Sequence, residues 1–511
     1  VDGTRVDHAP EAPAELAHGV ALAHGAFFNT LAFLASNLRG IFTLLVAHLL
    51  GRGVLGTFGV AWATTDLVSK ISTFGFETTA ITFVAREEAG ADRAGGLRVM
   101  RAALGIGVGL SVATAGLAWL LRRPLAAAVG WNPALTTATL VLLCSLPGVA
   151  LYRISNAVSR GMAIMHHDIY SRGLTESLVT AAALLAAMAL GARDLAPEFA
   201  VIAGTLASGS VAFELARRRF RGVRAHEGTM PFGRLVRDSG AVAAHDFLNI
   251  GIMSIDVIML GLFVGRAPGV TLESVGVYAA AVEAAGGLRK VNQAFNPIFA
   301  TTIARQMAAG HIRRAEATFG TLARWMLAVL LPAVAVFAVG GRVVMAIFGT
   351  SFVQGATWLA IVALACALNA FVGLGETILV VEKPRANLVN AFIALVVTIG
   401  ANLLLIPRFG PLGAALGMLI PYSLYGLLRI VEIRWLFGWR WPWRALGRPL
   451  AAAIVPLALA VPARLVSRGL ATDAIAAAVY AAAYVAAWRL IGLEAADRDL
   501  LQHLRARWRS A

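Results

Sequence analysis

The chain has 511 residues, 59% of them hydrophobic and 14% charged, with a mean hydropathy of +0.74. A soluble protein of this size carries about 25% charged residues, so this composition excludes an ordinary soluble domain and indicates a polytopic membrane protein. Its net charge of +16 comes from 44 Arg and Lys against 28 acids. In a membrane chain that excess reflects basic cytoplasmic loops rather than nucleic-acid binding.

The first 26 residues are polar and rich in Ala and Pro, lack the short apolar core of a signal peptide, and are expected to form a flexible cytoplasmic tail. Apolar runs then predict fourteen spanning helices, at 27–50, 55–85, 99–121, 134–158, 174–191, 197–216, 239–265, 274–304, 322–347, 356–381, 386–406, 411–433, 449–466 and 472–491. Gly51–Gly53, Pro124, Pro197, Pro268, Pro384, Pro407–Pro411 and Pro449 punctuate them. With the N-terminus inside, 31 Arg and Lys fall on the cytoplasmic side and nine outside, while Arg39, Lys70, Arg289 and Lys290 lie within spans. This asymmetry predicts cytoplasmic N- and C-termini.

The second span places Asp66, Lys70, Thr73 and Glu77 on one helical face, with Asp66–Lys70 an obvious pair. Asp246, Asn249 and Asp256 mark the seventh span. The eighth, Val275–Arg305, is the most polar. Arg289, Asn292, Gln293 and Asn296 share one face there, with Glu283 and Lys290 along an adjacent one. A cation at the bilayer centre costs about 2.5–3.5 kcal/mol, so these groups must be paired or line a polar cavity. Pairing of Glu283 with Lys290 and amide contacts between helices is the plain reading. A passage for an anionic substrate is the functional one.

An internal repeat links 55–86 to 275–305. At a displacement of 220, Gly56 meets Gly276, Phe58 meets Tyr278 and Lys70 meets Lys290. The repeat predicts two six-helix pseudo-symmetric halves, 27–216 and 239–433, joined by the basic linker 217–238. A cytoplasmic loop with two further helices, 434–492, and a basic tail, 493–511, follow. The segment RWLFGWRWPWR, 434–444, reads as an interfacial aromatic belt and His166-His167 as a solvated loop pair.

No lysine completes a G-x-x-x-x-G-K-[ST] phosphate loop, no His/Cys/Asp group has metal spacing, and Cys144 and Cys366 lie in apolar runs. No metal, cofactor or catalytic residue is expected. External loops are all short, which disfavours a glycosyltransferase or polymerase, so transport rather than enzymatic catalysis is the expected activity.

Three features carry a family resemblance. They are Arg39 followed by HLLGRGVLGTFGVAWA (48–63) and FGFETTAITFVAR (74–86), the segment NLLLIPRFGPLGAALGMLIPY (402–422), and the fourteen-helix plan with twelve helices in two halves. Together they resemble the polysaccharide transporter, O-antigen flippase-like branch of the multidrug/oligosaccharidyl-lipid/polysaccharide (MOP) exporter superfamily. The resemblance implies a flippase of the bacterial cytoplasmic membrane, moving a polyprenyl-diphosphate-linked saccharide from the inner to the outer leaflet by alternating access. It further implies that Arg39, Lys70, Arg289 and Lys290, with Asn292, Gln293 and Asn296, face the anionic headgroup. Asp66, Glu77, Asp256 and Glu283 would be candidates for ion coupling. The bilayer and polysaccharide assembly proteins are the implied partners. A MATE-like, ion-coupled exporter of drugs or cations is the alternative, disfavoured because the first span has no Asp or Glu.

Overall fold

The computed structural model describes residues 38–90, 92–223, 232–382, 384–439, 441, 443–466 and 469–491. Among them every regular element is a helix. That follows from the solvent, because a chain in hydrocarbon must satisfy its backbone hydrogen bonds within each segment. The helices are α1 (Leu38–Ser72), α2 (Phe76–Ala89), α3 (Arg93–Leu120), α4 (Arg122–Val129), α5 (Pro133–Leu143), α6 (Leu146–Gly161), α7 (His166–Asp168), α8 (Ser177–Ala189), α9 (Ala196–Arg219), α10 (Phe232–Phe263), α11 (Leu272–Ala308), α12 (Ile312–Ala346), α13 (Ala356–Glu382), α14 (Pro384–Phe409), α15 (Pro411–Phe437), α16 (Trp443–Val466) and α17 (Leu470–Ile491). Each of the fourteen expected spans falls on one or more of these helices, the first from Leu38 onward. Among the described residues nine helices are long and apolar enough to cross a membrane, and the bent pair α5–α6 makes a tenth. The tail 1–26, residues 224–231 of the linker 217–238 and the tail 493–511 lie outside the described residues.

Helix ends follow local chemistry. Gly51, at φ 80°, turns α1 into two arms. The C-terminal arm ends at Ser72, because Phe74 and Gly75 both adopt the left-handed conformation, at φ 52° and 72°. The expected span 55–85 is therefore broken. Pro147, Pro197 and Pro411 start α6, α9 and α15, where a missing N–H is harmless. Pro407, expected to break the chain, continues α14, and the turn falls at Gly410 with φ 57°.

Two compact units divide the chain, 1–42, 65–128 and 136–247 in the first, 43–64, 129–135 and 248–511 in the second. The first is built on an apolar core from α2, α3, α6 and α9, including Phe76, Phe83, Leu97, Met100, Ile154 and Phe220. In the second, α11 and α13 pack along each other and α13 also packs on α12 and α15. There α16 and α17 close on α12 through stacked Tyr480 and Tyr484, whose hydroxyl donates to the Ala328 carbonyl at 2.6 Å.

Also within the second unit, α1 crosses α11 where the repeat predicted a match. A Cβ on Gly56 would overlap the Leu272 carbonyl and stand 2.8 Å from the Gly276 nitrogen. Reciprocally, one on Gly276 would overlap the Arg52 carbonyl and stand 2.9 Å from the Gly56 nitrogen. Residues 52, 56, 272 and 276 thus meet about a local two-fold, and Arg52–Glu273 (2.5 Å) ties the same crossing.

Candidate functional site

The first unit holds a buried charge cluster at the break between α1 and α2. Helix termini shape it. The last turn of α1, the negative end of its dipole, carries Lys70, whereas the first turn of α2, the positive end, carries Glu77, the arrangement each helix dipole favours. The two side chains form an ion pair across the break. Arg153 of α6 reaches the same place, donating to Asp66 at 2.8 Å and Ser69 at 3.0 Å, with its other nitrogen 3.4 Å from Glu77. Asp246 of α10 lies within electrostatic reach of Glu77, Lys70 and His245. Ser and Thr hydroxyls add to the backbone bonds there: Ser72 and Thr73 donate to the Ser69 carbonyl, and Thr79 to the Gly75 carbonyl, each of which also accepts a backbone N–H.

The second unit holds a different polar group along α11. Tyr278 donates to Asp256 of α10 at 2.5 Å, and both are buried. Arg289 interacts electrostatically with Cys366, Tyr422, Asp256 and Glu283. Its Nη1 is buried without a hydrogen-bond acceptor, and the Asp256 Oδ1, Asn292 Oδ1 and Tyr422 hydroxyl are also buried and unmatched. Asn292 fits against Gly373, and Asn296 accepts from Thr377, one helical turn further along α13. A separate knot joins α14 to α15. Arg429, fully buried, donates to Asn387 (2.5 Å), Glu432 (3.0 Å) and Tyr425, over whose ring it lies at 4.5 Å.

The family model described as polysaccharide biosynthesis protein matches residues 22–303, more than half of the chain. The chain belongs to the polysaccharide biosynthesis protein family. No curated protein matches it. Solved structures share its fold. A lipid II flippase, MurJ, in an inward closed conformation superposes with a TM-score of 0.68 at 12% identity, covering 93% of this chain and 100% of the other. An inward-facing multidrug resistance MATE family transporter of the MOP superfamily superposes with a TM-score of 0.66 at 14% identity, covering 80% and 94%. This polysaccharide biosynthesis family member is therefore a multi-pass membrane protein with the MOP transporter fold.

The expected site residues separate. Asp66, Lys70 and Glu77 come together in the first unit. Asp256, Arg289, Lys290 and the amides belong to the second, where Glu283 and Gln293 are exposed and Lys290 is half-buried. Arg39 lies in the first turn of α1, and its side chain is outside the described residues. Three sequence expectations need correction. Lys70 is engaged by Glu77 and Asp66 by Arg153, rather than by each other. His167 is buried, bonded to Ser159 at 2.9 Å, rather than solvated. Trp439 and Trp441 of the aromatic belt fold inward onto Phe319, leaving Trp435 and Trp443 exposed.

The charge count puts Arg153, Arg324 and Arg429 on the cytoplasmic side although the expected spans 134–158, 322–347 and 411–433 contain them, and their site roles are missed; all three lie inside helices. For Arg153 a signal existed. It is the sole charged residue between Arg123 and Arg160, in an otherwise apolar run.

Proposed function

We propose that this protein is a flippase, moving a lipid-linked polysaccharide precursor from the cytoplasmic to the outer leaflet of a bacterial cytoplasmic membrane. Family membership carries the reading, and a fold shared with a lipid II flippase supports it. The chemistry is compatible. A diphosphate headgroup needs donors in a dry interior, and Arg289 offers a buried guanidinium nitrogen without an acceptor. Arginine can clamp a phosphate through two parallel N–H groups, while lysine acts as a point charge. Arg289 is thus the leading headgroup ligand, with Lys290 beside it on α11. In this reading the polyprenyl tail stays in lipid, both termini are cytoplasmic, and no covalent chemistry is performed.

Arg289→Ala should remain folded and membrane-inserted while lowering transport at least about tenfold, the loss of roughly 1.4 kcal/mol of differential binding. Lipid-linked saccharide should accumulate on the inner leaflet, and Arg289→Lys should restore part of the activity. Unchanged surface polysaccharide in Arg289→Ala would overturn the assignment of Arg289. Resistance to cationic dyes on overexpression, with surface polysaccharide unaffected by deletion, would favour drug export instead.

A further inference from the structure

The middle of α11 has an open, polar side. From Ala281 to Gln293 the exposed positions are Glu283, Gly287 and Gln293, with Lys290 half-buried between the last two. A carboxylate, an ammonium group and an amide along one side of a spanning helix face water or a polar ligand, because hydrocarbon penalises them. Gly287 is the unusual member. After proline, glycine is the residue least favourable to a helix interior, and a helical glycine commonly marks a close approach. Gly56 and Gly276 show such an approach by a neighbouring helix, but a Cβ on Gly287 would meet nothing within 4 Å. Gly105, Gly109 and Gly116 of α3 are equally open, yet they share their face with exposed Val112 and Leu120, a surface suited to lipid. The surroundings of Gly287 differ. Arg289 folds back along α11, its Nη2 standing 3.4 Å from where a Gly286 Cβ would be. The two glycines thus make a notch in the helix surface, with the guanidinium against Gly286 and open space over Gly287.

We propose that Gly287 is the seat of a sugar ring, the one joined to the diphosphate, with Glu283 accepting its hydroxyls and Arg289 holding the phosphate. The seat rests on the flippase reading and assigns the sugar half of the headgroup to particular residues. Charge sets the orientation. An ionised carboxylate only accepts hydrogen bonds, so Glu283 takes O–H donors and repels phosphate oxygens. A guanidinium only donates, so Arg289 takes the phosphate. The spacing suits a single ring. Glu283 and Lys290 are seven residues apart, about 10 Å along the axis, and Gly287 clears the stretch between them. A pyranose over Gly287 carries its anomeric phosphate to the Arg289 end and its far hydroxyls to the Glu283 end. Gln293, further along the same side, offers amide donors to the second phosphate. A bare anion needs neither a cleared backbone nor a carboxylate, and their combination with a guanidinium is what selects a hydroxylated ring bonded to phosphate.

The test uses the purified full-length chain in nanodiscs and two kinds of probe, farnesyl diphosphate alone and farnesyl diphosphate bearing glucose, galactose or N-acetylglucosamine. The wild type should bind at least one sugar-bearing probe about tenfold more tightly than bare farnesyl diphosphate. That preference should fall to near unity in Gly287→Leu and in Glu283→Gln. Gly287→Leu should melt no lower than the wild type, because leucine favours a helix and the position is open. Equal binding of the two kinds of probe by the wild type, or a preference that survives in either variant, would overturn the seat and leave the flippase reading standing. A lower melting temperature for Gly287→Leu would show that the glycine serves packing, and would overturn the seat equally. Binding of no probe at all would overturn the flippase reading, and the seat with it.

Discussion

Histidine 167 shows how much a single side chain can depend on packing that composition does not reveal. It precedes a π-helical turn, Ile169–Glu176, which brings Ser171 against Asn156 (2.9 and 3.1 Å) while His167 meets Ser159. Burial, then the neighbouring charges of His166 and Arg219, push the His167 imidazole down to about 4. The unfolded chain, with an ordinary value near 6.5, binds a proton through the intervening range when the folded chain does not. Stability should accordingly be level above about pH 6.5 and fall as pH drops toward 4, by on the order of 1–3 kcal/mol from this residue. Thermal unfolding in detergent across that range should show the decline in the wild type and a shallower one in His167→Gln. Equal slopes would remove His167 as the cause. Arg153 teaches the same lesson. Its isolation in an apolar run marks it as internal, but only the opposing carboxylates of α1 and α2 show what it pairs with.

Helices were the most legible elements, because each span must be long and apolar whatever it packs against. Their interruptions were less legible. Proline seemed the natural breaker, yet Pro407 sits within α14 and the second span breaks at Phe74–Gly75, where no proline occurs. Read as one continuous helix, Asp66, Lys70 and Glu77 share a face at i, i+4 and i+7. The break preserves that grouping while turning Lys70–Glu77 into a pair between two helix ends. Gly75 is what permits it, by its left-handed backbone and by lacking a side chain against Ser239. Gly75→Ala should therefore destabilise the protein by about 2 kcal/mol or more, since strain and a backbone clash add. A melting-temperature loss no larger than that of Gly233→Ala, an open position, would show that α10 yields easily.

At the scale of the whole chain, counting charges remains informative after correction. Setting aside every Arg and Lys that falls within the expected spans leaves 26 basic residues on the proposed cytoplasmic side against seven outside. The repeat is the more instructive case. Identities at a displacement of 220 are individually weak in so biased a composition, and no residue in the list explains why Gly56 should match Gly276. The structure supplies the reason: the two glycines touch each other, and each makes room for the other strand of the crossing, Gly56 for Leu272 and Gly276 for Arg52. A self-complementary contact of this kind constrains both copies to be small at the same register. Two consequences can be measured. Gly56→Leu and Gly276→Leu should each lower the melting temperature by similar amounts, because each inserts the same volume into an equivalent backbone contact. The double variant should fall well short of the sum, because the first substitution already separates α1 from α11. An additive double variant, or singles that differ severalfold, would mean that the sequence match between 55–86 and 275–305 is not the mark of a shared contact.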